Sequence, residues 1–336
     1  MEWNGSATDE SLAYKVMRTV WLPWQRERRL RKEKKRRETA RFSARVLSGA
    51  EFHSLALRSS DGVKCWGAQQ DDGHPEDSDD DYDIDLGQAP LAGIPGEFDA
   101  IAAGLYHSLA LRSNGTVVCL GNNEEGQAPP DGVDGDFVAI AAGTFHSLAL
   151  RPNGSVACWG RNGDGQAPPA GVDGDFVMIA AGHVHSLALR RNGSIACLGN
   201  NGDGQAPPAG VDGDFVMIAA GHAHSLALRR NGNIACWGDN TIGQAPPDDV
   251  DGDFVAISAG WFHSLALRRD GSVVCWGNNG NGQAPPDGVE GDFIAIAAGG
   301  FHSLALRRNG NVACWGYNGH GQAPPDGVTG PFGNTV

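Results

Sequence analysis

The hexapeptide His-Ser-Leu-Ala-Leu-Arg occurs seven times in this chain of 336 residues. The spacing between successive copies is constant, except that the first interval is longer because the first copy carries an insertion. The histidines of the seven copies are His53, His107, His146, His185, His224, His263 and His302. Each unit of such a repeat adopts the same local structure and packs against neighbours of its own kind. The chain is therefore restricted to an open solenoid or a closed ring.

Each unit contains three short apolar segments. In the unit from Phe137 to Asp175 they read FVAIAA, HSLALR and SVACWG, and glycines or an Asn-Gly turn separate them. Segments of this length between such turns are typical of β-strands, and the pair Asn153-Gly154 supplies the positive φ that a tight hairpin requires. The GQAPP stretch that follows has two prolines, which cannot donate to a sheet. It is expected to be an edge connector, which leaves three antiparallel strands per unit.

A single three-stranded sheet leaves one apolar face in water, so neighbouring units have to cover it. Seven radial sheets that close on themselves bury both faces of every sheet and protect the edges. We therefore predict an all-β fold, a seven-bladed β-propeller over residues 44–330 with about three antiparallel strands per blade. Residues 331–336 are expected to form a C-terminal tail.

The unit AIAAGxxHSLALxxNGxVxCWGxNxxGQ resembles the repeat of the regulator-of-chromosome-condensation family of propellers, over most of the chain. Its short length is similar to the compact version found in the bacterial propeller that inhibits β-lactamase. The resemblance implies a propeller but no single function, because the family includes a guanine-nucleotide exchange factor, a UV-B photoreceptor, enzyme inhibitors and ubiquitin-ligase modules. UV-B sensing is not expected here, since only the copy around Trp261 is close to the photoreceptor motif and it lacks the arginine.

The N-terminal segment is basic, since residues 1–45 contain more than twice as many Lys and Arg as Asp and Glu, whereas the rest of the chain is strongly acidic. The stretch from Gln25 to Arg41 lacks Gly and Pro and mixes charges at helical spacing, so a charged N-terminal helical extension is predicted within residues 1–43. This basic arm also has the composition of a nuclear-import signal or of a polyanion-binding segment. Its central residues are Arg31, Lys32, Lys34, Lys35, Arg36 and Arg37.

The insertion in the first copy, residues 71–85, contains nine carboxylates and is expected to be a disordered acidic loop. Asp77, Asp79 and Asp81 alternate as in a calcium-binding loop. However, Tyr82 occupies the place of the required glycine and Gln88 replaces the closing glutamate. No metal site is therefore predicted there.

The seven cysteines share one repeat position and are expected to be buried free thiols. Equivalent positions on adjacent blades lie on the order of 10 Å apart, beyond disulfide reach, and no CxxC pair suggests zinc. Free thiols are typical of a reducing compartment, so an intracellular location, cytoplasmic or nuclear, is expected. These cysteines are Cys65, Cys119, Cys158, Cys197, Cys236, Cys275 and Cys314.

Catalysis is not predicted. Seven identical histidines cannot take the different roles that catalysis requires, and their ring nitrogens are expected to bond backbone groups between blades. The chain shows no Ser-His-Asp arrangement, phosphate loop or dinucleotide fingerprint, so no cofactor is expected. There is also no apolar stretch long enough for a membrane span and no apolar core of a signal peptide, which predicts a soluble protein.

The candidate partner-binding residues lie where the repeat varies. With three alternating strands per blade, the loop before each histidine and the loop after each third strand emerge on one face. The Arg-containing hairpins and the GVDGD linkers emerge on the other face, where mutual ion pairing is expected. Near the histidines the first face differs from blade to blade, and His183, His222 and Trp261 fall on consecutive blades. The expected partner-binding set is His183, His222, Trp261, Phe262, Leu105 and Tyr106.

These observations predict a non-enzymatic protein-interaction propeller that acts as a scaffold or regulatory subunit. Two alternatives remain open. The basic arm favours an exchange factor for a small GTPase, although the blades lack long loops. The resemblance to inhibitor propellers allows an enzyme inhibitor, against which the cysteine usage weighs.

Overall fold

The computed structural model of the protein describes residues 45–60, 62–67, 86–90, 92–246 and 249–333. These residues contain 21 β-strands in seven antiparallel sheets of three strands each, and no helix lies wholly within them. Each sheet consists of three strands that are consecutive in the sequence, and we number the sheets blades 1 to 7 in chain order. The predicted all-β architecture with seven blades of three strands is confirmed. The expected N-terminal helix and the acidic insertion lie outside the described residues.

The three strands of a blade occupy equivalent positions in every repeat. The first strands are β1 (Leu47–Gly49), β4 (Phe98–Ala103), β7 (Ala139–Ala142), β10 (Phe176–Ala181), β13 (Phe215–Ala220), β16 (Phe254–Ala259) and β19 (Phe293–Ala298). The second strands are β2 (His53–Leu57), β5 (His107–Arg112), β8 (His146–Leu150), β11 (His185–Arg190), β14 (His224–Arg229), β17 (His263–Arg268) and β20 (His302–Arg307). The third strands are β3 (Val63–Gly67), β6 (Val117–Gly121), β9 (Val156–Gly160), β12 (Ile195–Gly199), β15 (Ile234–Gly238), β18 (Val273–Gly277) and β21 (Val312–Gly316).

The second strand of each blade is the most buried one because it lies between two strands of its own sheet and between two neighbouring sheets. In blade 5, Leu226 and Leu228 are fully buried and Ala227 between them is buried as well. Burial on both faces explains why HSLAL is apolar at successive positions instead of alternating. The turn to the third strand uses glycine with positive φ, such as Gly154 at 90°.

The first strands of all blades face the axis of the ring and line a central channel. Each first strand contacts the first strand of the next blade, and β19 of blade 7 contacts β1 of blade 1. The ring is therefore closed. The described residues include no helix that is long and apolar enough to cross a membrane.

The GQAPP connector runs along the outer edge of the blade, as expected. Val133, at the end of the connector of blade 2, forms an isolated antiparallel bridge with Val117 of the third strand. The same bridge recurs in the other blades, for example between Val211 and Ile195. The connector thus protects the exposed edge of each sheet without forming a fourth strand.

Phe332 near the C-terminus completes blade 1. In blade 2 the first strand begins at Phe98, which pairs with Arg112, but β1 begins only at Leu47. Phe332 takes the missing place: it pairs with Arg58, is 4% exposed, and its ring lies 6.5 Å from that of Trp66. Residues 331–333, which we expected in a C-terminal tail, therefore belong to the propeller. The C-terminal segment fixes the end of blade 7 onto blade 1.

Candidate functional site

The loops that precede the second strands and follow the third strands emerge at one end of the channel, which we call the loop face. The hairpins between the second and third strands lie at the opposite end. This arrangement follows from three alternating strands and agrees with the sequence-based assignment. In six of the seven blades, a glycine three residues before the histidine lets the imidazole pack directly on the backbone, and Ala50 takes this place in blade 1. At Gly104, for instance, a Cβ atom would overlap the ring of His107 and the carbonyl oxygen of Gly143.

Below the loop face, the seven repeated histidines form a ring of hydrogen bonds between blades. His53 Nε2 of blade 1 lies 2.8 Å from Ser108 Oγ of blade 2, and the serine hydroxyl donates to the carbonyl oxygen of Gln88 at 2.8 Å. Because the serine hydroxyl donates its proton to the carbonyl, the imidazole has to donate to the serine, and Nε2 carries the hydrogen. The remaining bonds link His107 to Ser147, His146 to Ser186, His185 to Ser225, His224 to Ser264, His263 to Ser303 and His302 to Ser54.

This ring corrects the expectation that the histidines bond backbone groups between blades. The imidazole bonds a side chain, and the serine then bonds the backbone, because the hydroxyl bridges the gap between the ring and the connector. Nδ1 of each of the seven histidines is buried without a hydrogen-bond partner. Burial lowers the pKa of His53, His107, His185, His263 and His302 to about 3 and that of His146 and His224 to about 4. The histidines are neutral and structural.

The loop face varies at the position two residues before each histidine. These residues surround the mouth of the central channel, a small cavity of about 90 Å³. Glu51 and Gly300 lie side by side there, and Leu105, Thr144, His183 and Trp261 complete most of the rim. This cavity volume admits the end of one side chain.

Four of the six predicted partner-binding residues come together on blades 4 to 6. The rings of His183 and His222 stack with their centroids 4.2 Å apart, and the ring of His222 lies 5.5 Å from that of Trp261. Phe262 lies 5.3 Å from His222, and Phe301 of blade 7 extends the group at 5.6 Å from Trp261. We call these five residues the aromatic arc.

Tyr106 lies on the other side of the mouth, in a second aromatic group. Its ring stacks on Phe52 at 5.5 Å and lies 6.3 Å from Phe145. His320 contacts Phe52 edge-on at 5.3 Å and lies 5.8 Å from Tyr317. The structure thus separates Tyr106 from the aromatic arc.

Leu105 is only 8% exposed and offers little surface to a partner. Our candidate set also left out Glu51, Phe52 and Phe301. Phe301 and Phe52 could have been found from the sequence, because both immediately precede a repeat histidine and share the repeat position of Phe262.

Charge on the loop face is predominantly negative. Glu124, Asp164, Asp203 and Asp239 follow the third strands of blades 2 to 5. Arg161 is a cation of these loops, and its Nη1 lies 4.0 Å from a carboxylate oxygen of Glu125.

Burial perturbs the titratable groups at the channel mouth. Burial raises the pKa of Glu51 to about 7. For His183, burial and then the neighbouring His222 lower the pKa to about 4. Burial also lowers the pKa of His222, against the effect of Asp203 and Asp239.

The opposite face shows the ion pairs expected there. Arg229 Nε lies 2.7 Å from Asp249 Oδ2, and Arg269 Nε lies 2.7 Å from Asp253 Oδ2. The structure adds a second contact: the guanidinium of Arg229 lies 4.8 Å from the ring centroid of Phe215. Equivalent arginines cover the phenylalanines of blades 3, 4, 6 and 7.

The seven cysteines are free, and six are buried while Cys236 is partly exposed. The expectation of buried free thiols is confirmed at six of the seven positions. Burial raises the pKa of these thiols, to about 12 for Cys65 and about 11 for Cys158. The described part of the chain contains no group of three or more His, Cys, Asp or Glu that could hold a metal ion. The basic arm, Arg31 to Arg37, lies outside the described residues and its role stays a prediction.

The sequence profile of the regulator of chromosome condensation (RCC1) repeat matches six segments that together span more than half of the chain. The chain belongs to this repeat family. The matched segments are 98–127, 137–166, 176–205, 215–244, 254–283 and 293–322, which correspond to blades 2 to 7 with the first two residues of each connector. No curated protein sequence matches the chain significantly.

Solved structures with the same fold include the ectodomain of the receptor kinase ACR4 from Arabidopsis thaliana, with a TM-score of 0.62 and 24% identity over 84% of this chain and 98% of that one. The ectodomain of CR4 from Physcomitrella patens has a TM-score of 0.63 and 23% identity over 81% and 72% of the two chains. Prp20p from Saccharomyces cerevisiae has a TM-score of 0.58 and 21% identity over 83% and 84%. At these identities the likeness establishes the fold alone.

Proposed function

We propose that the protein is a non-enzymatic interaction propeller, a scaffold or regulatory subunit that binds another protein through its loop face. The observation that carries this proposal is the contrast between a uniform frame and a varied surface. The histidine ring, the core strands and the opposite face repeat with little change, whereas the residues around the channel mouth differ from blade to blade. Specific recognition needs such differences, because a uniform ring presents the same surface seven times.

The aromatic arc has the character of an interface centre. Trp261 contacts His222, Phe262 and Phe301 and is partly exposed at the channel mouth. Energetically dominant interface positions are enriched in tryptophan and tyrosine and lie in the centre of the contact. Loops held on a rigid ring also lose little conformational freedom on binding. These features support His183, His222, Trp261 and Phe262 as the principal contacts, with Tyr106 at the periphery.

A propeller of this fold does bind other proteins: Prp20p is described with binding properties towards Gsp1p and histones. That observation supports protein binding as the general activity and leaves the partner of the present chain to experiment. The intracellular location expected from the free thiols also stays a prediction, since similar structures include the ectodomains of receptor kinases.

The proposal is tested by affinity capture with the full chain from its native cells, followed by binding measurements on the captured partner. Trp261→Ala should weaken binding by about 2 kcal/mol or more, roughly 30-fold, as expected for a desolvated tryptophan anchor. The matched control is Arg191→Ala, an exposed side chain of the opposite face, which should change binding by less than about 0.5 kcal/mol. Equal losses, or a loss with the arginine variant alone, would place the interface elsewhere.

A nucleotide-release assay with small GTPases tests the exchange-factor alternative. Accelerated release by the wild-type chain that Trp261→Ala abolishes would assign that activity to the loop face. Inhibition of a captured enzyme by the chain would instead support the inhibitor alternative.

A further inference from the structure

We infer that the partner presents a positively charged segment to the loop face, and that one lysine or arginine side chain of this segment enters the channel mouth to pair with Glu51. This inference rests on the proposed function, because it specifies the chemistry of a partner that binds there.

Glu51 is a half-buried carboxylate at the rim of the channel mouth. Burial raises its pKa to about 7, and no neighbouring charge of the described residues offsets this effect. A carboxylate in such a place destabilises the folded protein at neutral pH, since burial disfavours its charged form. A cation supplied by a partner would remove that penalty at the moment of binding.

The neighbouring blades place Glu51 beside an aromatic ring at the channel mouth. Gly300 occupies the position equivalent to Glu51 on blade 7, and a Cβ added to it would lie 3.2 Å from the Cγ atom of Glu51. Glycine at this position therefore lets the Glu51 side chain lie directly against the backbone of blade 7 at the channel mouth. Trp261, on the next blade, lines the same cavity. The site therefore combines an anion with an aromatic ring, and lysine and arginine side chains are attracted to both.

The periphery of the loop face has the same sign of charge. Asp203 and Asp239 lie close enough to His222 to act on its titration, and Asp164 acts in the same way on His183. Clustered charge of one sign steers an oppositely charged partner and repels a like-charged one.

An anionic partner is disfavoured by the same groups. A phosphate backbone or an acidic peptide would bring negative charge close to Glu51 and to the peripheral carboxylates Asp164, Asp203 and Asp239. A bound metal ion is not supported, since Glu51 is a single carboxylate and the described residues provide no cluster of metal ligands around it. A basic polypeptide segment is the occupant that the charge and the small cavity fit.

The test uses the full-length chain and two fluorescein-labelled peptides, the basic GGKGRGKGRGG and the acidic GGEGEGEGEGG. Binding is followed by fluorescence anisotropy at pH 7.5 and physiological salt. The basic peptide should bind and the acidic peptide should not. Glu51→Gln should weaken binding of the basic peptide at least about fivefold, because the neutral amide keeps the shape and removes the charge. The matched control Asp212→Asn removes an exposed carboxylate of the opposite face and should change binding less than twofold.

A second readout separates the role of Glu51 in binding from a structural one. Since the folded-state pKa of Glu51 is raised, the ionised carboxylate opposes folding at pH 8, and Glu51→Gln should raise the thermal unfolding midpoint there. A variant that is more stable but binds less well supports a binding role. A variant that loses both stability and binding would overturn it.

Other outcomes of these measurements would show that the inference is wrong. Absence of binding by the basic peptide, stronger binding by the acidic peptide, or equal effects of Glu51→Gln and Asp212→Asn would each overturn the inference. If Trp261→Ala weakens the binding of a captured partner while Glu51→Gln leaves its affinity unchanged, the inference of a cationic segment is wrong and the proposed function stands. If neither variant affects a captured partner, the proposed loop face itself is wrong.

Discussion

The imidazole Nε2 of His302 in blade 7 donates a hydrogen bond of 2.7 Å to Ser54 Oγ in blade 1, across 248 residues of sequence. Ser54 Oγ in turn donates to the carbonyl oxygen of Gln322 at 3.0 Å. The six other histidine–serine bonds join neighbours within the chain. The bond between His302 and Ser54 therefore closes the circle of hydrogen bonds between the last blade and the first.

Removal of one hydroxyl from this circle tests its closure. Ser54→Ala leaves the Nε2–H group of His302 buried without an acceptor and should destabilise the protein by about 1–3 kcal/mol. Ser264→Ala, at a junction between blades that are consecutive in the sequence, should have the same effect. Ser264 bonds a histidine and a glutamine carbonyl in the same way as Ser54 does. The exposed Ser113→Ala should stay within about 0.5 kcal/mol of wild type. Urea unfolding provides the measurement, and a clearly smaller effect at Ser54 than at Ser264 would show that the junction is open in solution.

The histidine ring should make the propeller sensitive to acid. The folded-state pKa values of about 3 to 4 lie below the ordinary value of 6.5, so the unfolded chain binds more protons between those values. Stability is then fully present above about pH 6.5 and falls as the pH is lowered towards 4. At pH 5 the loss is on the order of 2 kcal/mol per histidine, and for seven histidines it is comparable to the whole stability of a domain.

Urea midpoints between pH 7.5 and 5 measure this effect. His302→Gln should reduce the slope of stability against pH by about one proton, whereas replacement of the less buried His320 by glutamine should reduce it much less. A stability that does not change between pH 7.5 and 5 would mean that the buried histidines are protonated in the folded protein or absent from its core.

The contribution of the C-terminal segment is measured at Phe332. Its ring packs against Trp66 in the place that Phe98 and its equivalents fill in other blades, so Phe332→Ala should cost about 3–5 kcal/mol. Phe301→Ala removes an equal side chain from the partly exposed loop face and should cost less than about 1.5 kcal/mol. The thermal unfolding midpoints of both variants are compared. Equal midpoints would show that residues 331–333 form a tail that does not stabilise the propeller.

Two arginines of the opposite face should contribute differently to the stability of the protein. Arg229 pairs with Asp249 and covers the ring of Phe215, whereas Arg191 is exposed. Arg229→Ala should therefore destabilise by about 1 kcal/mol and Arg191→Ala by less than about 0.5 kcal/mol. Raising the salt concentration should reduce the difference only in part, since the contact with Phe215 persists. A difference that vanishes at high salt would assign the whole effect to the ion pair.

Much of the fold could be predicted from the sequence because each local signal for a strand or a turn occurs in all seven repeats. The Asn-Gly turns, the apolar second strand and the paired prolines fix three strands per blade and their alternating direction. From that alternation the loop face follows. The neighbourhood of His183, His222 and Trp261 could also be predicted, because equal repeat positions on consecutive blades are adjacent in a ring.

Contacts between blades could not be derived in the same way. The partner of His53 is Ser108, one blade further, and the choice between that hydroxyl and a backbone group depends on how far the blades are apart. The burial of Leu105 depends on the sizes of its neighbours around the mouth. The place of Phe332 did leave a signal, since it lies one repeat length after Phe293 and the equivalent position in the first copy is Ala44.

Because Phe332 stands in for the first residue of blade 1, the unit that repeats in the sequence begins and ends at the same point of the blade. A duplication of one repeat length anywhere between Phe98 and Phe332 would add one whole blade and leave both closing segments unchanged. The inward-facing rows of alanine and glycine would then enclose a wider channel. A duplication of one repeat would thus change the number of blades and, with it, the diameter of the surface offered to a partner.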